Sequence, residues 1–305
     1  MKDMLGRDAV VSVKTAREIF DKNFNILPLQ SEDISITSAA GRIITKDIVS
    51  PVDLPDFNRS SMDGYAVRAQ DTFGATESLP AYLQIIGEVL MGEEPGVVIN
   101  KGTAAKISTG GMLPKGSDAV VILEHTQVID KNSIEALYSV APGENVVQAG
   151  EDIKKGEALV KRGHKIRPQD IGAFAGIGID RVAVYAKPNV AVITTGNEIV
   201  DIKTNSKLGQ VRDINSYYLS SLVDSDGGVP IKKGIIKDDY SELRRTVEES
   251  LSEADVVVLS GGSSVGARDL TAKVINDIGK PGVLVHGVSI KPGKPTIIGV
   301  VNNKP

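Results

Sequence analysis

The last third of the chain alternates apolar runs with amphipathic stretches. A run such as 256–259 (VVVL) has the length and β-branched content of a buried strand, whereas Leu243, Val247 and Leu251 recur at the spacing of one helix face. The pattern predicts, in order, strand 190–194, helix 216–223, strand 229–236, helix 240–252, strand 256–259 and helix 270–278. Strands that alternate with helices of this length are typical of a parallel, doubly wound sheet.

Before Lys187 the pattern is different. Residues 51–141 contain short β-rich segments separated by Gly and Pro turns, which indicates a small all-β module. Helices are predicted at 13–24 and 168–176, and a strand at 181–185. The change of character near residue 187 is the clearest predicted domain boundary.

The final predicted strand, 297–301, is not followed by a closing helix. A doubly wound sheet would normally need one. We therefore expect that the chain is a fragment, or that something outside it completes the sheet.

Composition excludes several classes of function. The 305 residues carry a net charge of −4 and only 4% aromatic side chains, so neither a basic field nor base-stacking platforms favour nucleic acid as a partner. No apolar run reaches the roughly 18 residues of a membrane span, and the N-terminus lacks a signal-peptide core. We therefore expect a cytoplasmic protein with no membrane partner. The absence of cysteine excludes thiolate sites and leaves a hard cation such as Mg²⁺ as the metal to expect.

Two glycine-rich loops follow predicted strands. Residues 194–198 (TTGNE) come after the strand at 190–194, and residues 260–269 (SGGSSVGARD) come after the strand at 256–259. Ligands of open parallel sheets bind outside the carboxyl ends of the strands, so both loops are expected to line one crevice. Ser264 and Asp269 are suited to a nucleotide phosphate and its metal, although Asp269 could equally cap the helix that follows.

Three further motifs carry candidate chemistry. Residues 291–295 (KPGKP) hold two ammonium groups on a stiff segment. Alone, this segment would indicate a solvated basic turn, but beside the two glycine-rich loops it favours oxyanion binding. Asp238 and Asp239 follow a predicted strand, where they are either helix caps or metal ligands. Asn215 precedes a helix and is expected to cap it.

The region before residue 187 has two polar segments of interest. Residues 56–66 (DFNRSSMDGYA) are expected to form an ordered loop that could also serve as a crevice wall. Residues 150–153 (GEDI) are expected to form a tight turn or to contribute acidic side chains to the same crevice.

These motifs together resemble the MoeA family, relatives of the E domains of gephyrin and its plant counterpart. The resemblance covers nearly the whole chain and rests on segments in family order, namely 61–66 (SMDGYA), 114–120 (PKGSDAV), 150–153 (GEDI), 195–198 (TGNE), 260–269 (SGGSSVGARD) and 291–295 (KPGKP). Any one of these alone would be weak support.

The resemblance implies a multi-domain α/β homodimer. It implies an N-terminal α+β region built from residues 1–50 and 142–187, with residues 51–141 inserted as a β-rich domain. Residues 188–305 would form a MogA-like parallel-sheet domain that binds molybdopterin and is incomplete at its C-terminus. The implied reaction inserts molybdate, or tungstate, into adenylyl-molybdopterin with hydrolysis and release of AMP.

The resemblance also implies roles for particular residues. Asp269, Ser264, Glu151 and Asp63 are the implied catalytic residues, with Glu151 and Asp63 supplied by other domains, across the dimer. Asp269 and either Asp238 or Asp239 would hold Mg²⁺. The implied ligand-binding residues are Thr195, Gly196, Asn197, Glu198, Gly261 and Gly262 for the nucleotide, and Lys291 and Lys294 for molybdate.

Two departures from the family pattern bear on activity. Asn58 stands where the family often has Asp, and family members extend about a hundred residues further, so we expect the chain as given to be catalytically impaired. Two other functions stay open. One is molybdopterin adenylyltransferase, an enzyme that is also a candidate partner, and the other is a non-catalytic scaffold of the same fold.

Overall fold

The computed structural model of the protein describes residues 10–25, 30–261 and 265–305, and for 265–269 only the helix that contains them. The chain divides into two compact units. We call Met1–Glu32 together with Tyr185–Pro305 the sheet unit, and Asp33–Val184 the inserted unit.

The described residues form short strands and a few helices. The α-helices are α1 (Val13–Asn23), α2 (Pro168–Gly176), α3 (Asn215–Ser225), α4 (Tyr240–Glu253) and α5 (Val265–Ile278). Single 3-10 turns occur at Ile36–Ser38, Ala69–Thr72 and Leu123–His125. The strands are β1 (Ser31–Ser35), β2 (Ile48–Val49), β3 (Arg59–Ser60), β4 (Gly64–Val67), β5 (Ala81–Val89), β6 (Thr103–Ile107), β7 (Ala119–Ile122), β8 (Thr126–Asp130), β9 (Ser133–Ala136), β10 (Val146–Val147), β11 (Ala158–Val160), β12 (Arg181–Tyr185), β13 (Asn189–Thr195), β14 (Ile199–Val200), β15 (Val211–Arg212), β16 (Val229–Ile236), β17 (Val256–Gly261), β18 (Pro281–His286) and β19 (Ile297–Val301).

A three-stranded parallel sheet organises the sheet unit, in the order β16-β13-β17. The central strand β13 is buried from Val190 to Thr195, as expected of a strand with a neighbour on each side. Ile193 packs with Leu243 and Val247 of α4 and with Val274 of α5. The predicted alternation of parallel strands and helices is therefore confirmed.

The prediction did not include β18, which pairs antiparallel with β19. Strand β18 opens with Pro281 and Gly282, residues that are depleted in strands and hide the signal from sequence inspection. Val285 of this strand is buried against Ala16 of α1. Strand 297–301 thus exists as predicted, but its hydrogen-bonded partner is an antiparallel neighbour.

The inserted unit contains a six-stranded sheet in the order β7-β4-β6-β5-β9-β8. Its pairs are antiparallel except for β5 with β6. One apolar cluster includes Tyr65 and Val67, and another includes Ala66, so both faces of β4 are covered. The β-rich character predicted for residues 51–141 is confirmed.

Strand β4 corrects the prediction that residues 56–66 form a loop. All four of its residues are buried between β6 and β7. A Cβ atom built on Gly64 would lie 2.1 Å from the carbonyl oxygen of Val121, so only glycine allows the two backbones to approach this closely. Because the residues before Gly64 are polar, the sequence pattern did not predict this short, fully buried strand.

The remainder of the inserted unit packs around Phe174 of α2, which is fully buried with Ile44, Val182 and Val184. The division of the structure into units falls after Glu32 and after Val184, close to the predicted boundary at residue 187. The further separation of 51–141 from 1–50 and 142–187 stays a prediction. None of the helices in the described ranges has the length and apolar character needed to cross a membrane.

Candidate functional site

The ends of β13 and β17 lie in register at the carboxyl edge of the parallel sheet. Thr195 pairs with Gly261, the last residue of each strand. Gly261 has φ 129°, and a Cβ atom added to it would lie 1.9 Å from the carbonyl oxygen of Thr195. Glycine is therefore required at this position, both by its backbone conformation and by the close approach of the neighbouring strand.

A cavity of about 900 Å³ runs along β17 and reaches this edge. Thr195 lines it from the first glycine-rich loop, Ser260 and Gly261 from the second, and Pro292, Gly293 and Pro295 from the lysine-containing turn. Three segments that were singled out separately in the sequence therefore border one cavity. Strands β17 and β19 supply much of its apolar wall.

The 291–295 turn is held by internal hydrogen bonds. Gly293 accepts from both the N–H and the hydroxyl of Thr296, at 3.0 and 2.6 Å. Lys291 and Lys294 are exposed, and neither ammonium group has an ion-pair partner among the described residues. Two cations on a fixed backbone suit an oxyanion, because little ordering entropy is lost on binding.

The remaining residues of the first glycine-rich loop lie beside the end of β16. The N–H of Gly196 donates to the carbonyl of Ile236 at 3.1 Å, and the side-chain oxygen of Asn197 accepts from the N–H of Asp238 at 3.4 Å. Glu198 is exposed, and its carbonyl oxygen accepts from Val211. The loop is thereby joined to the segment that carries Asp238 and Asp239.

The two adjacent aspartates have different surroundings. Asp239 is the N-cap of α4, and its carboxylate accepts from the N–H of Glu242 at 2.9 Å. The half-buried carboxylate of Asp238 has no protein partner in the described part of the chain. Capping therefore accounts for Asp239, whereas Asp238 is left available for a ligand.

The expectation that Asn215 caps α3 is wrong. The capping hydrogen bond comes from buried Asp213, which accepts from the N–H of Ser216 at 3.0 Å and from its hydroxyl at 2.5 Å. The side-chain amide of Asn215 instead donates to the hydroxyl oxygen of Ser260 at 2.6 Å. Asn215 and Ser260 both line the cavity, a pairing that sequence inspection missed because 45 residues separate them.

Several predicted residues cannot be placed in this geometry. Gly262 and Ser264 lie outside the described residues, as does the side chain of Asp269. Helix α5 begins at Val265, so Asp269 lies inside the helix and not at its start. The alternative in which Asp269 caps this helix is therefore wrong.

In the inserted unit, Asp63 is held by Thr109. One carboxylate oxygen of Asp63 accepts from the N–H of Thr109 at 2.7 Å and from its hydroxyl at 3.0 Å. These two hydrogen bonds lower the pKa of Asp63 from its ordinary value, the backbone N–H having the larger effect. Thr109 was not singled out in the sequence, although its place after β6, in the turn 108–111 (STGG), is typical of such a partner.

Glu151 and Asn58 border a second group of loops in the same unit. Glu151 accepts from the N–H of Gln148 at 2.8 Å, and the side-chain oxygen of Asn58 accepts from the N–H of Ala149 at 2.8 Å. The amide oxygen of Asn58 thus makes a bond that a carboxylate could also make. Its missing charge does not leave the loop unsupported.

No group of three or more metal-binding His, Cys, Asp or Glu side chains occurs within the described ranges.

Two family models match the chain. The MoeA N-terminal region, domains I and II, matches residues 11–178, and a probable molybdopterin-binding domain matches residues 191–304. The second match contains all three segments that border the cavity and every lining residue except Pro305.

Individual relatives agree with these matches. A putative molybdopterin biosynthesis protein of Methanocaldococcus jannaschii is 39% identical over 94% of this chain and 70% of its own length. A molybdopterin molybdenumtransferase of Nostoc is 32% identical over 92% of this chain and 65% of its own length. A solved structure of a molybdopterin biosynthesis MoeA protein from Pyrococcus horikoshii OT3 is 34% identical, with a TM-score of 0.85, over 95% of this chain and 72% of that one.

The chain therefore spans about two thirds of the length of such relatives. The matches confirm the predicted family, the mixed α/β fold and a place among the molybdenumtransferases. From its motifs, its fold and its relatives alike, the chain belongs to the MoeA family of molybdenum cofactor biosynthesis.

Proposed function

We propose that this protein inserts molybdate into adenylyl-molybdopterin, with hydrolysis of the phosphoanhydride and release of AMP. The observation that carries the proposal is the single cavity of about 900 Å³ bordered by both glycine-rich loops and by the 291–295 turn. It is large enough for a nucleotide-sized ligand, and the lysine-containing turn lines it with Pro292, Gly293 and Pro295.

We assign the cation to the edge near Asp238. Its carboxylate is unpartnered, whereas that of Asp239 is occupied as a helix cap. Mg²⁺ prefers oxygen ligands and keeps part of its shell for water and phosphate. When bound, the cation would neutralise charge on the phosphoanhydride. Asp269 and Ser264 remain proposed partners in this role.

The proposed nucleotide-binding residues are Thr195, Gly196, Asn197, Glu198, Gly261 and Gly262. Gly261 and Thr195 bring the two backbones together at the sheet edge, where an anionic group can approach without a side chain in the way. Lys291 and Lys294 would bind molybdate. Their positive charges complement an oxyanion.

Asp63 and Glu151 of the inserted unit are proposed as further catalytic residues. The lowered pKa of Asp63 keeps it ionised near neutral pH, which suits a ligand or a general base and not a general acid. We further propose a homodimer, with molybdopterin adenylyltransferase as the partner that supplies the adenylylated substrate. Light scattering of the purified protein tests the dimer.

The test of the reaction is AMP release from adenylyl-molybdopterin, with and without molybdate, in the presence of Mg²⁺. We expect release that depends on molybdate and is lost on chelation. Lys294→Ala should weaken the dependence on molybdate, whereas Lys131→Ala, an exposed lysine of the inserted unit, should not. Absence of molybdate-dependent release contradicts the proposal, and ATP-dependent adenylylation of molybdopterin would instead favour an adenylyltransferase.

A further inference from the structure

Asn215 and Ser260 form a short polar link in the lining of the cavity. The Nδ2 group of Asn215 lies 2.6 Å from Oγ of Ser260, and both residues line the cavity. Asn215 is exposed and Ser260 half-buried, so the link contributes little to the stability of the core. Its position at the carboxyl end of β17 coincides instead with the edge where ligands of parallel sheets bind.

The direction of this hydrogen bond has a chemical consequence. An amide NH₂ group can only donate, so the oxygen of Ser260 must accept. The hydroxyl proton of Ser260 is then turned toward a different acceptor, and the described residues provide none. Asn215 thereby orients Ser260 as a hydrogen-bond donor.

Hydrogen bonds of the neighbouring residue Asp213 hold the backbone that carries Asn215. Buried Asp213 accepts from the N–H and hydroxyl of Ser216 and, at 3.4 Å, from the hydroxyl of Thr194 on β13. The N–H of Asp213 donates to Val200 at 2.9 Å. The first turn of α3 is therefore attached to the central strand β13, and the backbone at Asn215 is held in place.

We propose that Ser260 donates its hydroxyl proton to a phosphate oxygen of the nucleotide, and that Asn215 is the positioning residue that orients it. The inference rests on the proposed function, because it takes the nucleotide as the occupant of the cavity. A phosphate oxygen is the acceptor best matched to a donor at this edge, since a hydrogen bond to a charged group is roughly twice as strong as a neutral one.

The test is titration calorimetry of Mg²⁺–AMP with Ser260→Ala, Asn215→Ala, Asn215→Asp and the double alanine variant. Ser260→Ala should weaken AMP binding about tenfold, as expected for one hydrogen bond to a charged group. Asn215→Ala should weaken it less, because Ser260 can still donate from other rotamers. The double variant should match Ser260→Ala alone, since the amide acts only through the hydroxyl.

The isosteric Asn215→Asp variant tests the direction of the hydrogen bond. A carboxylate can only accept, so it should capture the Ser260 proton and weaken AMP binding more than Asn215→Ala does. Adenosine, which lacks the phosphate, should bind all variants equally. Ser225→Ala, on the far end of the same helix, is the matched control, because its hydroxyl bonds only to the carbonyl of Leu222.

The outcomes separate the two proposals. If the unaltered protein fails to bind AMP, the nucleotide site and the link proposed here are both wrong. If it binds AMP and all Asn215 and Ser260 variants bind equally well, the positioning role is overturned while the proposed function stands. Binding by Asn215→Asp at the unaltered level has the same consequence for the positioning role.

Discussion

Asp63 accepts both hydrogen bonds of Thr109 through a single carboxylate oxygen, from the N–H at 2.7 Å and from the hydroxyl at 3.0 Å. The second oxygen of Asp63 has no partner among the described residues. Thr109 therefore stabilises the charge of Asp63 and leaves one oxygen available. This arrangement suits a residue that must remain anionic while it contacts something else.

Thr109→Val should raise the pKa of Asp63 without returning it to its ordinary value. Valine removes the hydroxyl but keeps the backbone N–H, which has the larger effect on the lowered pKa. Titration of Asp63 by NMR measures the change. Thr109→Ser keeps both donors and is expected to leave the pKa where it is; an identical titration curve for the valine variant would contradict the assignment.

Asp238→Asn and Asp239→Asn form a pair that separates ligand binding from helix capping. Asp238→Asn should greatly reduce Mg²⁺-dependent AMP release and leave the melting temperature nearly unchanged, because its carboxylate has no described protein partner. Asp239→Ala removes the cap of α4 and should cost about 1 kcal/mol of stability. Asp239→Asn, which retains a capping oxygen, should be close to neutral in both measurements.

The opposite pattern would disprove the division of roles between the two aspartates. It would consist of loss of metal dependence with Asp239→Asn and full activity with Asp238→Asn. Titrating activity against Mg²⁺ concentration distinguishes weaker metal binding from a lower maximal rate.

Gly261→Ala should destabilise the sheet unit by several times more than Gly209→Ala. Both glycines have positive φ, 129° and 90°, so each substitution carries a backbone cost of about 1–2 kcal/mol. Only at Gly261 does the new methyl group also meet backbone, at 1.9 Å from Thr195, whereas no atom lies within 4 Å at Gly209. Urea unfolding of the two variants measures the difference, and equal losses would show that the close approach does not matter.

Asp170→Asn should destabilise the inserted unit at neutral pH, by about 2 kcal/mol, with an effect that shrinks in acid. Asp170 is buried, with oxygens 2.9 and 3.1 Å from the Arg167 guanidinium and 2.6 Å from His164. Arg167 holds the pKa of Asp170 well below its usual range, with His164 adding to the effect against the opposing effect of burial.

Because the folded pKa of Asp170 is depressed, its contribution is complete above the unfolded value near 4 and is lost as pH falls toward the folded value. The difference in unfolding free energy between the two proteins should therefore stay constant from pH 7 to about pH 4 and shrink steadily below that, as measured from pH 7 down to pH 2. Glu94→Gln, at an exposed carboxylate, is the control and should give a flat difference. A difference for Asp170→Asn that does not change with pH would contradict the ion-pair explanation.

The strands and helices of the sheet unit could be predicted because their apolar residues follow strand or helix spacing along continuous stretches of sequence. Strand β4 could not be predicted, because Gly64 considered alone indicates a turn. The need for glycine becomes clear only from Val121, which is far along the sequence but lies on the neighbouring strand β7. The separate roles of Asp238 and Asp239 depend on the residue at which α4 begins, which sequence patterns locate only approximately. The contact of Asn215 with Ser260 required the fold itself.

The N–H of Ala186 donates to the carbonyl of Gln30 at 2.7 Å, so the chain leaves the sheet unit and returns to it at nearly the same point. An unfolded segment covering residues 31–185 would make this closure entropically unfavourable. If that segment has already folded with its ends adjacent, the effective loop is more than ten times shorter and the closure cost falls by roughly 2 kcal/mol. The inserted unit should thus fold first, and its adjacent ends should then bring the two separated parts of the sheet unit together.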